Sequence, residues 1–256
     1  MKVKAVLIDF WLTLIDFGEV AQEKLASIRI KKYEEILEKY GFSFTIEEIR
    51  EAIAETDKEC DRIRVSNERE VGSEEIIKIL LSKLSVNKMS ESILHDILEV
   101  YNNSLLLIDL EVRKYAKELL MYLKNKGYKI GLVSNTSHGH VLREILQKFG
   151  LYKYFDIMVF SDELGLRKPQ PDIFNEALRL LDVKPKETIH IGDNPELDVV
   201  GAKAANIYVI YLKQSGEPYP DGLPKPDAVA TSLREVPSIF SCLDSCGKVN
   251  RKWKEK

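Results

Sequence analysis

The chain has 256 residues, 45% of them hydrophobic and 31% charged, with a net charge of −3 and an isoelectric point near 5.9. A chain of this length can bury roughly 70–75% of its unfolded surface, which makes a sizeable core available, and the composition fits a globular protein and argues against disorder. The charge balance gives no reason to seek nucleic acid or anionic membranes, and no stretch approaches the roughly 20 apolar residues of a membrane-spanning helix.

Met1-Lys2 runs directly into an apolar segment, without the basic, apolar and small-residue sections of a secretory leader. A cytoplasmic location is therefore expected. The expected partner is a small-molecule substrate, with no nucleic acid and no membrane, and the expected assembly is a monomer or homodimer. Residues 3–10 read as a buried strand ending at Asp9. From Val20 to Leu107 apolar residues recur at three and four, with breaks at Gly41, Gly72-Ser73 and Ser90; that spacing predicts a four-helix insert without strands.

After Asp109 short apolar runs alternate with amphipathic segments, the pattern of a parallel sheet covered on both faces. Strands are predicted over Lys129–Ser134, Ile157–Phe160, Thr188–Ile191, Ile207–Tyr211 and Ala228–Ala230, with helices near 111–126, 138–149, 171–182 and 195–205. The fold class expected is α/β: a Rossmann-like, doubly wound parallel sheet core with an inserted all-helical domain. The core takes residues 1–16 and 109–242 and the insert 17–108. A basic C-terminal tail, 243–256, carries Trp253. Cys60, Cys242 and Cys246 form no CxxC pair and no metal-ligand spacing, so neither a disulfide framework nor a zinc site is indicated.

Ligands of an open parallel sheet bind outside the carboxyl ends of its strands. The polar residues of interest fall there: Asp9, Ser134-Asn135, Lys168 and Gly192-Asp193. Taken singly, each has a plainer explanation as a helix cap or turn residue. Together, Asp9-Phe10-Trp11-Leu12-Thr13, Ser134-Asn135, Lys168-Pro169 and Gly192-Asp193-Asn194-Pro195-Glu196-Leu197-Asp198 resemble, in order and spacing, the four motifs of the haloacid dehalogenase (HAD) superfamily.

That resemblance implies roles. Asp9 would be a nucleophile forming a covalent aspartyl intermediate. Thr13 and Ser134 would donate hydrogen bonds to the transferring group, with Asn135 beside it. Lys168 would neutralise the clustered carboxylates and hold the nucleophile ionised. Mg²⁺ would be bound by Asp9, Asp193 and the Trp11 carbonyl, with Asp198 as a ligand or just behind it. The helical insert would be a cap that closes over the site.

The sequence departs from the family pattern at Trp11, where a second Asp usually acts as general acid and base. Such a group is typically worth about 10²–10⁴ in rate, and indole supplies no equivalent. Halide leaves without a proton, and the 2-haloacid dehalogenases carry an aromatic residue at this position, so a metal-independent dehalogenase is one reading. Those enzymes, however, resemble Ser-Ser-Asn in the fourth motif, and an extra carboxylate at Asp193 would repel a carboxylate substrate. The sequence therefore favours, narrowly, a Mg²⁺-dependent phosphatase of a small phosphorylated metabolite. A third alternative is a catalytically reduced relative that binds a ligand or partner.

Arg62 and Arg64, on the predicted cap, are candidates for gripping a substrate anion, although Lys58, Glu59 and Asp61 beside them suit a solvated helix face. His138 and His140 read as surface or capping residues at a helix start, His190 as packed within a strand, and Asp172 as a first-turn helix residue.

Overall fold

A computed structural model describes residues 2–86, 90–214 and 218–246. The first strand, β1 (Ala5–Ile8), is wholly buried and is followed by the short β2 (Ile15–Asp16). Four helices come next: α1 (Glu19–Lys39), α2 (Ile46–Ser66), α3 (Ser73–Lys83) and α4 (Glu91–Asn103). Their starts follow local chemistry. Thr45 and Glu48 form a reciprocal capping box at α2, and the Ser90 hydroxyl accepts the Ile93 amide at α4. Tyr33, Leu37, Ile49, Ile77, Leu81 and Ile97 build a core private to this bundle.

The chain returns through β3 (Glu111–Val112) and α5 (Ala116–Asn125), then β4 (Lys129–Ser134) and α6 (Gly139–Lys148). After β5 (Ile157–Phe160) come a single turn, α7 (Ser161–Leu164), and α8 (Pro171–Leu181). The remaining elements are β6 (Thr188–Gly192), α9 (Val200–Ala204), β7 (Tyr208–Leu212), β8 (Ala228–Ala230) and α10 (Val236–Cys246).

The six-stranded sheet has the order β5-β4-β1-β6-β7-β8 and is parallel throughout. Alternation along β1 explains why both faces are covered. Val6 and Ile8 pack with α5, α6 and α10, while Ala5 and Leu7 pack with α8 and α9. The chain winds outward from β1 through β4 to β5, then returns to β6 and winds the other way. The end of β1 is thus the switch point, where a crevice opens between diverging connections.

Three expectations change. The helix expected from 111 begins only at Ala116, because Glu111 and Val112 pair antiparallel with Asp16 and Ile15 and pin the two chain crossings into the bundle together. The helix expected over 195–205 opens instead as a π-helical turn, Pro195–Val199, before α9. Helix α10 extends to Cys246, into the segment assigned to the tail; residues 247–256, with Trp253, lie outside the described residues. No described helix is long and apolar enough to cross a membrane.

Candidate active site

Four strand ends and the loops after them build the site. Asp9 follows β1, and its amide donates to the Ile191 carbonyl of β6 at 2.9 Å, locking the two strands at the crevice. The loop then turns sharply. Leu12 adopts a left-handed conformation with φ of 56°, and the Leu14 and Ile15 amides both return to the Phe10 carbonyl. This turn brings the buried Thr13 hydroxyl to 3.3 Å from Asp193 Oδ1.

Lys168 is the electrostatic centre. Its ammonium lies 2.5 Å from Asp9 Oδ1 and 2.7 Å from Asp198 Oδ1, with all three side chains at most 8% exposed. Asn135 holds the lysine from behind: its side chain accepts the Lys168 amide at 2.7 Å and donates to the Lys168 carbonyl at 2.9 Å. That pair of hydrogen bonds to the backbone makes Asn135 a support for Lys168, whereas the sequence placed it against substrate. Ser134, fully buried, ends β4 beside it.

Asp198 uses both oxygens within the protein. Oδ1 also accepts from His190 Nε2 at 2.9 Å, and Oδ2 accepts the Asn194 amide at 3.0 Å. Such close approach requires glycine at the end of β6, since a Cβ on Gly192 would lie 2.3 Å from Asp198 Cγ. His190 is completely buried and packs edge-on against Phe174. Its place within a strand is as expected, and its hydrogen bond adds a function to that packing.

Carboxylate oxygens of Asp9, Asp193 and Asp198 all lie within 4.8 Å of one another, and this crowding decides their ionisation. Burial pushes Asp9 up to about 7; Lys168 opposes the rise while Asp198 and Asp193 add to it. Burial and the Asp198 charge likewise raise Asp193 to about 6. For Asp198 burial also acts upward, but Lys168 and His190 outweigh it and hold the carboxyl well below the usual range. Burial lowers Lys168 less than its two carboxylates raise it, so it stays charged. Asp198 takes most of the benefit of the lysine, while Asp9 meets it through Oδ1 and Asp193 meets the Thr13 hydroxyl through Oδ1. Hard oxygen donors under mutual repulsion suit a divalent cation such as Mg²⁺.

The Trp11 indole is half-buried. It stands edge-on to Phe10 at 4.7 Å and to Phe17 at 4.8 Å, so the ring belongs to an aromatic row running from the loop after β1 toward the start of α1. Arg62 pairs with Glu59 on an exposed face of α2. Arg64 is engaged by Glu70 at 2.9 Å and Asp61 at 3.1 Å. Both guanidinium groups thus meet carboxylates of the chain, among them the Glu59 and Asp61 that suited a solvated helix face. His140 and Asp172 are exposed. His138, expected as a surface or capping residue, takes the N-cap position of α6 without a side-chain cap bond and is buried: its ring stacks on Tyr101 of α4 at 4.5 Å, and Nε2 lies 3.2 Å from Arg29 of α1. Burial and the facing Arg29 push its pKa down to about 3.

Sequence pattern missed Glu70. Within Asn67–Gly72 it looks like any solvated loop charge, yet its side chain is 2% exposed and meets Arg64, Arg167 and Ser161. The only cue available was its place in a short loop between two helices.

Comparison with known proteins agrees with this geometry. A glyceraldehyde 3-phosphate phosphatase of Methanothermobacter thermautotrophicus is 30% identical over 220 residues, covering 82% of this chain and 85% of that one. A phosphoserine phosphatase of Thermus thermophilus is 33% identical over 121 residues, about half of each chain (47% and 48%). Among solved structures, a HAD phosphatase from Thermococcus onnurineus superposes with a TM-score of 0.63 at 25% identity, over 93% of this chain and 98% of that one. A 2-haloacid dehalogenase from Pseudomonas syringae shares the fold, with a TM-score of 0.70 at 20% identity and the same coverage. A hydrolase family model, haloacid dehalogenase-like hydrolase, matches residues 3–206, and with the four motifs converging on one crevice the chain belongs to that family and is a hydrolase.

Proposed function

We propose that the protein is a Mg²⁺-dependent phosphatase acting on a small phosphorylated metabolite through a covalent intermediate on Asp9. The observation that carries this reading is the three-carboxylate cluster around one lysine. A site that takes carboxylate substrates without a metal gains nothing from Asp193, whereas phosphoryl transfer uses a cation there. The names of the similar phosphatases, both of which refer to phosphorylated metabolites, support the same substrate class.

The chemistry divides among the residues as follows. Asp9 attacks phosphorus, forming an acyl phosphate as the bond to the leaving oxygen breaks, and that oxygen takes its proton from solvent because Trp11 offers none; water then attacks phosphorus, gives up its proton to solvent, and the carboxylate returns as inorganic phosphate leaves. Lys168, oriented by Asn135 and Asp198, counters charge on Asp9 and on the transferring group. Thr13 and Ser134 donate to the phosphoryl oxygens. Asp9, Asp193 and the Trp11 carbonyl would hold Mg²⁺, which supplies charge neutralisation and orients the phosphoryl group. Asp198, its oxygens already engaged, serves by fixing Lys168 rather than as a direct ligand.

The competing dehalogenase reading rests on the aromatic residue at Trp11. The two are separated by assaying phosphate release from phosphorylated three-carbon metabolites and chloride release from 2-chloropropionate, each with Mg²⁺ or EDTA. Mg²⁺-dependent phosphate release that disappears in Asp9→Asn is the expected result; chloride release indifferent to EDTA would replace this proposal with the dehalogenase.

A further inference from the structure

A buried acid links the cap to the two loops that carry Lys168 and Ser134. Glu70 lies in the loop joining α2 to α3. Its Oε1 accepts from Arg64 Nε at 2.9 Å and from the Val71 amide at 3.0 Å, which anchors the carboxylate within the cap. Its Oε2 reaches the core, accepting from Ser161 Oγ at 2.8 Å and lying 3.4 Å from Arg167 Nε.

Both core partners lead to the catalytic lysine. Arg167 is its neighbour in the chain. Ser161 Oγ accepts the Thr136 amide at 2.8 Å, and Thr136 follows Asn135, whose side chain clamps the Lys168 backbone from both sides. Further bonds seat the same cap loop on the same core segment: the Glu70 amide donates to Gly165 O at 3.2 Å, and Gln170 Nε2 donates to Glu68 O. Arg64 on the cap and Arg167 on the core would repel across this junction, so Glu70 between them makes docking attractive. Withdrawing it would take the carboxylate from Arg167 and leave Arg64 with Asp61 alone and the Ser161 hydroxyl with the Thr136 carbonyl alone, so the bonds that cross from cap to core at this acid would be lost.

We infer that Glu70 is a positioning residue through which docking of the cap sets the end of β4, at Ser134 and Asn135, and the loop bearing Lys168. The inference rests on the phosphatase reading only for its kinetic test. When the cap is seated, Glu70 orients Ser161 and Arg167, and these fix the Thr136 amide and the approach of Lys168 to Asp9. When it lifts, those loops lose that support.

The test uses the full chain with Mg²⁺ and p-nitrophenyl phosphate, comparing Glu70→Gln, Ser161→Ala, the double variant, and Glu74→Gln as a control on the exposed Lys78–Glu74 pair of α3. Glu70→Gln and Ser161→Ala should each lower kcat about ten- to a hundredfold, with KM shifted by no more than about threefold. The double variant should be little worse than either single one, since both cut one connection. Glu74→Gln should leave kcat unchanged. Independently of activity, hydrogen exchange at Thr136 and over residues 165–170 should quicken in Glu70→Gln without a matching fall in global stability. A kcat within twofold of wild type in folded Glu70→Gln and Ser161→Ala, or unchanged exchange in both segments, would overturn the inference. If Glu70→Gln fails to fold, Ser161→Ala decides by the same readouts. A wild type inactive on phosphate esters would count against the proposed function, and the exchange measurement would still decide the role of Glu70.

Discussion

Replacing Lys168 by Met removes the cation from between two buried carboxylates while keeping the length of the side chain. The ammonium contacts Asp9 at 2.5 Å and Asp198 at 2.7 Å, and the three side chains are 3%, 8% and 1% exposed. Breaking a buried pair by deleting one partner costs about 3–5 kcal/mol, mainly because the remaining charge stays buried and unpaired. At about 2–4 °C per kcal/mol for a chain of this size, the melting temperature should fall by about 6–20 °C. The deficit should depend on pH in a stated direction. Asp9 in the wild type has a folded pKa of about 7, above its unfolded value near 4, so the folded state holds an extra proton between the two and stability falls as pH rises through that window. Above 7 the wild type levels off. Without Lys168 the Asp9 pKa moves higher still, so the variant goes on losing about 1.4 kcal/mol per pH unit where the wild type does not. Urea unfolding in EDTA at pH 6 and pH 9 should show a deficit larger at pH 9 by about 2–3 kcal/mol. An equal deficit at the two pH values, or none at either, would refute the assignment of Lys168 as charge compensator.

Mg²⁺ should act above that window: added to the wild type above pH 7, where Asp9 and Asp193 are both largely ionised and repel, it should raise the melting temperature, and it should do much less at pH 5, where both hold protons. A stabilisation equal at both pH values would argue that the cation binds elsewhere. Trp11→Asp should raise kcat on poor leaving groups more than on activated ones, while losing two edge-on aromatic contacts and about 1–3 kcal/mol of stability; equal kinetic effects on both substrate types would assign the indole a steric role. Gly192→Ala places a Cβ 2.3 Å from Asp198 Cγ, so it should destabilise by about 1–3 kcal/mol and lower activity together with the displaced Asp198. Unfolding and steady-state assays at native stability and activity would contradict the close-packing account.

Much of the site was legible along the chain because strand ends announce themselves. An apolar run that stops at a carboxylate, or at Ser-Asn, marks both the edge of the sheet and the residue left facing the crevice. The parallel sheet and the helical insert followed from periodicity for the same reason: a period of two or of 3.6 records which side of an element meets the core. Where local signal and tertiary pairing disagreed, pairing won. Glu111 and Val112 sit in a stretch that reads as helical, yet they form a ladder with Ile15 and Asp16, 96 or so residues away in the chain by the same register.

Side-chain charge was the least legible quantity. Arg62, Arg64 and Glu70 lie within nine residues of one another and look alike in composition, but one is exposed on a helix face, one bridges two carboxylates, and one is sealed inside the cap–core junction. Nor does spacing reveal that Asn135 faces the Lys168 backbone, or that Asp198 spends its oxygens on Lys168, His190 and the Asn194 amide. The order of residues fixes which chemistry can be brought to the switch point of the sheet, because strand ends and the loops after them are local features. Which carboxylate keeps a free oxygen, which is satisfied by its neighbours, and which acid ties cap to core depend on contacts between segments up to 190 residues apart, and only the folded packing sets those distances.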